Sequence, residues 1–367
     1  MRVLVLGCGE MAQVAIADLV RHEVFREVMV ATRRVDAAEQ FLSSLPTRTI
    51  RLSAHPVDVQ DRAALVRLMK GCDAVCNLAG PNYRNAIPVA KAAIAAGVSL
   101  VDAMDDWETY LEMLELDEPA RNAGVTVVTG LGASPGVTNV LARYGVERLD
   151  RVSEIRTAWV MRGSDLGGPA LSRHLLYSLP SRAFVFEAGR MREVRPFCDG
   201  RETVRFPELG DVEVYHIGHP EPFMLAHCFP NIRYADDKAA FLPTGIADQI
   251  FTVGPGARAG GPDALDAAAD ALYRTAKDMV DVPKTGALRT EVRGERDGKR
   301  VRLVYTAAGR IGLGTGVPAA IGAQLLAIGK IAKRGVHPPE RCLDPEWFLQ
   351  AVDVRNIGKV IEEVVEE

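Results

Sequence analysis

Met1-Arg2-Val3-Leu4-Val5-Leu6-Gly7-Cys8-Gly9-Glu10-Met11-Ala12 is the stretch whose reading decides the fold. A short apolar run stops at two glycines, and a helical apolar pattern from Met11 to Val20 follows at once. This is G-x-G-x-x-A between a strand and a helix, the context in which the motif marks a dinucleotide-binding βαβ unit. Gly7 supplies the tight turn, and Gly9 lets backbone approach a pyrophosphate. Ala12 is small enough for helix and strand to pack closely. Glu10 and Met11 open the helix, whose first N–H groups face the anion. The plainer alternative is a glycine turn that binds nothing.

Outward from this turn, strands and helices alternate. Glu27 to Arg34 reads as the second strand. Its end carries Thr32-Arg33-Arg34 where an NAD site has an acid, about twenty residues after the glycines. A hydroxyl and two guanidiniums suit a 2′-phosphate, so NADP is the expected cofactor. Asp36 leaves NAD open, and two solvated arginines are the plainer reading. Helices are expected at 36–44 and 61–69, the second capped by Asp61, with a weak third strand at 49–57. Asp58 then falls where an adenine contact belongs. A fourth strand over 74–79 ends at Gly80-Pro81, and Gly97 closes an alanine-rich helix over 86–96. A fifth strand, 99–102, precedes a helix for which Asp105 and Glu108 have capping-box spacing. Gly124 ends that helix, and a sixth strand, 125–129, runs into Gly132-Ala133-Ser134-Pro135-Gly136. The alternation implies an α/β fold: a Rossmann-type, doubly wound parallel sheet. Ligands of such sheets lie across the carboxyl ends of the strands. That edge adds Asn77, Ala79, Gly80, Pro81, Asp102, Gly132 and Pro135 to the candidate cofactor contacts. Asp102 is also the candidate catalytic residue that relays a proton, unless it merely caps the next helix beside Asp105 and Asp106.

From about Arg151 the texture changes to short strand-like runs at 154–161, 193–196, 202–206 and 213–217. Helices are expected at 171–179 and 263–280, the latter after a flexible 254–261 segment. A hairpin turns at Asp297-Gly298. The expected organisation is a dinucleotide-binding domain of 1–148 and 308–367, with an inserted α+β substrate and dimerisation domain at 149–307. The helical run 316–333 returns to the first domain. The densest polar cluster of the insert is His216-Ile217-Gly218-His219-Pro220-Glu221-Pro222. His219 is a candidate proton shuttle and Glu221 a candidate partner for a substrate ammonium. The alternative is a rigid surface turn held by the prolines. No set of Cys, His and Asp at ligand spacing accompanies the two histidines, so no metal is expected. Arg173 and Lys238 are candidates for a substrate carboxylate.

The chain has 367 residues, 48% hydrophobic and 25% charged, with a net charge of −4. This is the composition of a two-domain globular protein and offers nucleic acid no basic face. The six cysteines include no C-x-x-C and read as reduced thiols of a cytoplasmic protein. The most apolar helix, 317–331, is too short and glycine-rich to cross a membrane.

Two blocks go beyond the glycine turn. One is Gly132-Ala133-Ser134-Pro135-Gly136-Val137-Thr138-Asn139. The other is Thr315-Gly316-Val317-Pro318-Ala319-Ala320-Ile321, which runs on through Gly329-Lys330-Ile331 to Gly335-Val336-His337-Pro338-Pro339-Glu340. With Asn77-Leu78-Ala79-Gly80-Pro81-Asn82-Tyr83 and Asp102, they make the chain resemble the saccharopine dehydrogenase-like family. That family comprises saccharopine reductase, carboxynorspermidine synthase, lysine 6-dehydrogenase and their relatives. The resemblance implies an NAD(P)-dependent oxidoreductase acting at a C–N bond of an amino acid or related amine, the inserted domain shaping the substrate pocket. The insert itself matches only loosely, around 199–200 and 215–222. The expected partners are a small-molecule amine or amino-acid substrate and a second copy in a homodimer. Alternatives are an oxidative deaminase of the lysine 6-dehydrogenase type using NAD, and a non-catalytic dinucleotide-binding regulator.

Overall fold

Runs of β-branched and aliphatic residues that pack on both faces form the strands of the first unit, Met1–Gly136 with Gly312–Asp344. The computed structural model describes residues 1–278 and 285–366. Strands Arg2–Leu6 (β1), Glu27–Thr32 (β2), Arg51–Pro56 (β3), Ala74–Asn77 (β4), Leu100–Asp102 (β5) and Thr126–Thr129 (β6) lie in one parallel sheet. Gly335–His337, β15 in chain order, extends it, giving the order β15-β6-β5-β4-β1-β2-β3. Helices Glu10–Arg21 (α1), Val35–Ser43 (α2), Arg62–Met69 (α3), Asn82–Ala96 (α4), Trp107–Leu114 (α5) and Asp117–Asn122 (α6) connect the strands. The strand order reverses between β1 and β4, whose ends meet at Leu6 and Asn77. That is the switch point where such sheets take ligands.

Two expected details change. The single helix before Gly124 is broken into α5 and α6, and α5 begins at Trp107 with no side-chain cap from Asp106. The N-cap residue is thus Asp106, one position later than the Asp105–Glu108 spacing suggests.

The second unit is Val137–Ile311 with Pro345–Glu367, Glu367 lying outside the described residues. Its helices are Val137–Val146 (α7), Pro169–Ser178 (α8), Glu221–Cys228 (α9), Gly245–Ala259 (α10) and Pro262–Asp278 (α11). The last two positions of the helix expected over 263–280 lie outside the described residues. Strands Arg151–Arg162 (β7), Ala183–Glu187 (β8), Arg190–Val194 (β9), Glu202–Phe206 (β10), Gly210–His216 (β11), Tyr234–Leu242 (β12), Gly286–Arg296 (β13), Lys299–Gly309 (β14) and Ile361–Glu366 (β16) form a mixed sheet. Its main order is β10-β11-β12-β7-β13-β14-β16. Among the described residues of this sheet, only β7 and β12 pair in parallel. Pro345 onward clusters here because β16 pairs with β14, whereas the sequence reading carried all of 308–367 back to the first domain.

Three further differences concern this unit. The flexible segment expected at 254–261 is largely helical. It continues α10 through Pro255, and a Cβ on Gly254 would stand 2.7 Å from the Leu176 carbonyl oxygen. The prolines of 220–222 open α9 rather than fixing a surface turn, since proline fits a helix's first turn. Strand β12, which carries Asp236-Asp237-Lys238, has no counterpart among the strands expected from the sequence.

The helix Ile311–Ala327 (α12) explains the glycines of the C-terminal block. A Cβ on Gly316 would run into the Met11 carbonyl oxygen and Val14, and one on Gly322 would lie 2.5 Å from Leu131. Small residues let α12 pack against α1 and against the loop after β6.

Candidate functional site

Gly7 and Gly9 are glycines for different reasons. Gly7 has φ +96, and a Cβ there would sit 2.7 Å from the Leu78 carbonyl oxygen, so the loop after β4 approaches too closely for any side chain. A Cβ on Gly9 would meet no atom within 4 Å. Nothing in the protein's own packing requires glycine at that position. Gly9 is the N-cap residue of α1 and provides no side-chain cap, so open space adjoins the positive end of the helix. Ala12 is buried on the inner face of α1, and the Glu10 carboxyl would lie 3.4 Å from a Cβ on Gly312.

Arg33 and Arg34 are exposed at the end of β2, and the Thr32 hydroxyl accepts a 3.3 Å bond from the Arg34 N–H. The Gly7 N–H donates to the Ala31 carbonyl at 2.9 Å, which sets the end of β2 beside the glycine turn, and burial raises the Cys8 thiol, opposed by Gln13 and by the positive charge of Arg34. An open helix N-terminus with a guanidinium nearby fits a dinucleotide that carries a 2′-phosphate. Asp58 is exposed and accepts a 2.9 Å bond from the Gln60 N–H.

At the ends of β4 and β5, Asn77 and Asp102 face each other. Asn77 Nδ2 donates to Asp102 Oδ2 at 2.6 Å, and the Met104 N–H donates to Oδ1 at 2.8 Å. Asn77 Oδ1 accepts from the Ala79 N–H at 3.2 Å, which shapes the loop carrying Gly80 and Pro81. The Asp102 carbonyl accepts from the N–H groups of Gly130 and Leu131 and ties in the loop after β6. There the Gly132 N–H donates to the Pro135 carbonyl at 2.8 Å. Asp102 is wholly buried. Burial, with smaller contributions from Asp105 and Asp106, lifts its carboxyl to about 6 against the two neutral donors.

In the second unit, β12 carries a polar nest on each face. Toward one face, His219 Nδ1 lies 2.6 Å from Glu221 and 3.1 Å from Asp237. Asp237 also accepts from the Thr157 hydroxyl at 2.7 Å and from the Trp159 indole N–H at 3.2 Å. Burial works against charge on His219, but Glu221 and Asp237 hold its pKa well above the ordinary value. Burial and the Glu221 charge push Asp237 up to about 7, against His219 and Thr157. One ligand-type atom from each of His219, Glu221 and Asp237 lies within 4.8 Å of the others, and His219 Nδ1 is engaged with both carboxylates.

Toward the other face, Asp236 Oδ2 lies 3.2 Å from His216 Nε2, 3.1 Å from the Tyr234 hydroxyl and 3.5 Å from Lys238 Nζ. Lys238 also pairs closely with Glu202. Arg173 is paired with Asp266 at 2.6 Å and so helps hold α8 to α11. Both basic side chains considered for a substrate carboxylate thus have partners within the second unit. Asp236, Asp237, Thr157 and Trp159 went unnoticed in the sequence. Their one local signal is a charged run flowing directly into Ala239-Ala240-Phe241-Leu242.

Residues 3–128 match the family model of the saccharopine dehydrogenase NADP binding domain. The chain is similar to the saccharopine dehydrogenase-like family. The NADP expectation drawn from Thr32-Arg33-Arg34 agrees with that domain. Carboxynorspermidine synthase of Vibrio alginolyticus is 27% identical, over 99% of this chain and 97% of its own length. Carboxyaminopropylagmatine dehydrogenase of Synechocystis sp. is 21% identical, over 95% of this chain and 94% of its own. The structure of apo saccharopine dehydrogenase (L-Glu forming) from Saccharomyces cerevisiae covers 99% of both chains with a TM-score of 0.70; at 17% identity it speaks to the fold alone. Among the described residues, no helix is long and apolar enough to cross a membrane.

Proposed function

We propose that the chain is an NADP-dependent oxidoreductase acting at the C–N bond of an amino acid or related carboxylate-bearing amine, in the imine-reducing direction. The observation that carries this reading is the open Gly9 position beside Arg34, in a chain aligned almost end to end with relatives named for carboxylated amines. The cofactor, when bound, supplies the hydride for the carbon of the C–N bond. The chain's own task is to hold both molecules and manage one proton. Gly9 and the first turn of α1 hold the pyrophosphate, and Thr32, Arg33 and Arg34 hold the 2′-phosphate. Asp102 handles the proton: it sits at the carboxyl edge of the sheet, is lifted to about 6, and has neutral donors that leave it able to take up and release H⁺. His219 and Glu221 are buried and paired with each other, which supports a role in shaping the second unit rather than direct contact with a substrate ammonium. The enzyme acts in the cytoplasm as a homodimer, which light scattering in solution tests.

The activity test is a panel of carboxylate-bearing amines, and of aldehyde plus amine pairs, with NADPH and NADH, read at the reduced-nicotinamide absorbance. Turnover is expected with NADPH on at least one such pair. NADPH binding without turnover across the panel would favour a dinucleotide-binding regulator.

A further inference from the structure

We propose that Gln60 and Asn85 are positioning residues that clamp the loops after β3 and β4 around the adenine half of the dinucleotide. The proposal rests on the NADP reading above. Strands β3 and β4 are not neighbours: β2 and β1 lie between them, so no strand pairing sets the distance between the two loops. Side chains do so instead. After β3, Asp58 accepts from the Gln60 N–H at 2.9 Å and fixes a short turn. From that turn Gln60 Nε2 donates to Asn85 Oδ1 at 2.9 Å and to the Arg84 carbonyl at 3.4 Å.

Asn85, 7% exposed in the first turn of α4, completes the connection. Its Nδ2 donates to the Ala79 carbonyl at 2.9 Å and the Gly80 carbonyl at 3.0 Å. The orientation of its amide is therefore dictated from both sides: two carbonyls require the NH₂, and the Gln60 NH₂ requires the oxygen. Neither residue belongs to the glycine motif or to the Asn77–Asp102 pair. Both nevertheless stand directly behind the loops that carry Asp58, Ala79 and Gly80.

A carboxylate in place of either amide breaks this arrangement. Asp at 85 has no N–H for the two carbonyls, and Glu at 60 has none for Asn85 Oδ1. Gln60 is exposed, so Gln60→Ala and Gln60→Glu are the variants expected to fold unchanged. Binding is measured calorimetrically on the protein without cofactor, using 2′,5′-ADP for the adenine half and reduced nicotinamide mononucleotide for the other half. Both variants should bind 2′,5′-ADP about tenfold more weakly, bind the mononucleotide as the parent does, and melt within a degree of the parent. Asn85→Asp should show the same selective loss. Affinity for 2′,5′-ADP within twofold of the parent, or equal losses for both fragments, would overturn the clamp. A parent protein that binds neither 2′,5′-ADP nor NADPH would instead overturn the NADP reading beneath it.

Discussion

Asp102 of the first unit and Asp236 of the second are both almost wholly buried, yet burial lifts Asp102 to about 6 while Asp236 is held below its ordinary value. The difference lies in their partners. Asp102 accepts from an amide side chain and a backbone N–H, both neutral. Against the burial penalty, Asp236 has His216, then Lys238 and Arg156. Neutral donors soften the cost of burying a carboxylate without fixing its charge, and cations fix it. Asp237 marks the limit of the rule. It shares the single imidazolium of His219 with Glu221 and is pushed up to about 7, chiefly by burial and then by that second carboxylate. This contrast supports the proposal that Asp102 carries the proton and that the nests of the second unit hold its shape.

The largest expected effect falls on the second unit. His219→Gln leaves Glu221 and Asp237 facing each other without a cation, and breaking such a buried set typically costs about 3–5 kcal/mol. Urea unfolding reads this, and a loss below about 1 kcal/mol would mean that the nest is not a structural element. The first unit should respond in the opposite sense to Gly9→Val. NADPH affinity should fall by about a hundredfold or more, since the side chain fills the place of the pyrophosphate, while stability stays put because a Cβ there meets nothing. Gly7→Ala is the control: at φ +96 and 2.7 Å from the Leu78 carbonyl oxygen it should destabilise the protein. A Gly9→Val variant that binds NADPH normally would make the turn purely structural. The smallest of these effects is on cofactor choice. Arg33→Asp should lower the preference for NADPH over NADH about tenfold, given roughly 1.5–3 kcal/mol for a charged hydrogen bond. Equal affinities of the parent for the two cofactors, by fluorescence titration, would remove the arginines from the account.

The same two regions differ in how far they can be read from sequence. The turn from Gly7 to Ala12, the apolar strands around it and the Asp61 cap, which accepts from the Ala64 N–H at 3.0 Å, are local constraints that few residue types satisfy. They are legible within a dozen residues. Strand β12 is not, because its carboxylates make sense only with partners such as His216 and Thr157, 20 and 80 positions away. A charged run whose partners are distant looks like a loop until the sheet assembles. The same holds for α10, where Gly254 and Pro255 argue for a flexible segment and packing against Leu176 overrides them. In the first unit the difference is at 105–123, where spacing suggests one helix and the chain forms α5 and α6.

The most direct test of the contrast is the pH dependence of kcat/KM for imine reduction in the parent and in Asp102→Asn. In that direction Asp102 must carry a proton, and its raised pKa means that it does so only below about 6. The parent's kcat/KM should therefore fall about tenfold per pH unit above that value. Asp102→Asn should be slower by about a hundredfold or more and should lose that limb. The same limb at the same pH in the variant would contradict the assignment and move the proton to the nest around His219 and Asp237.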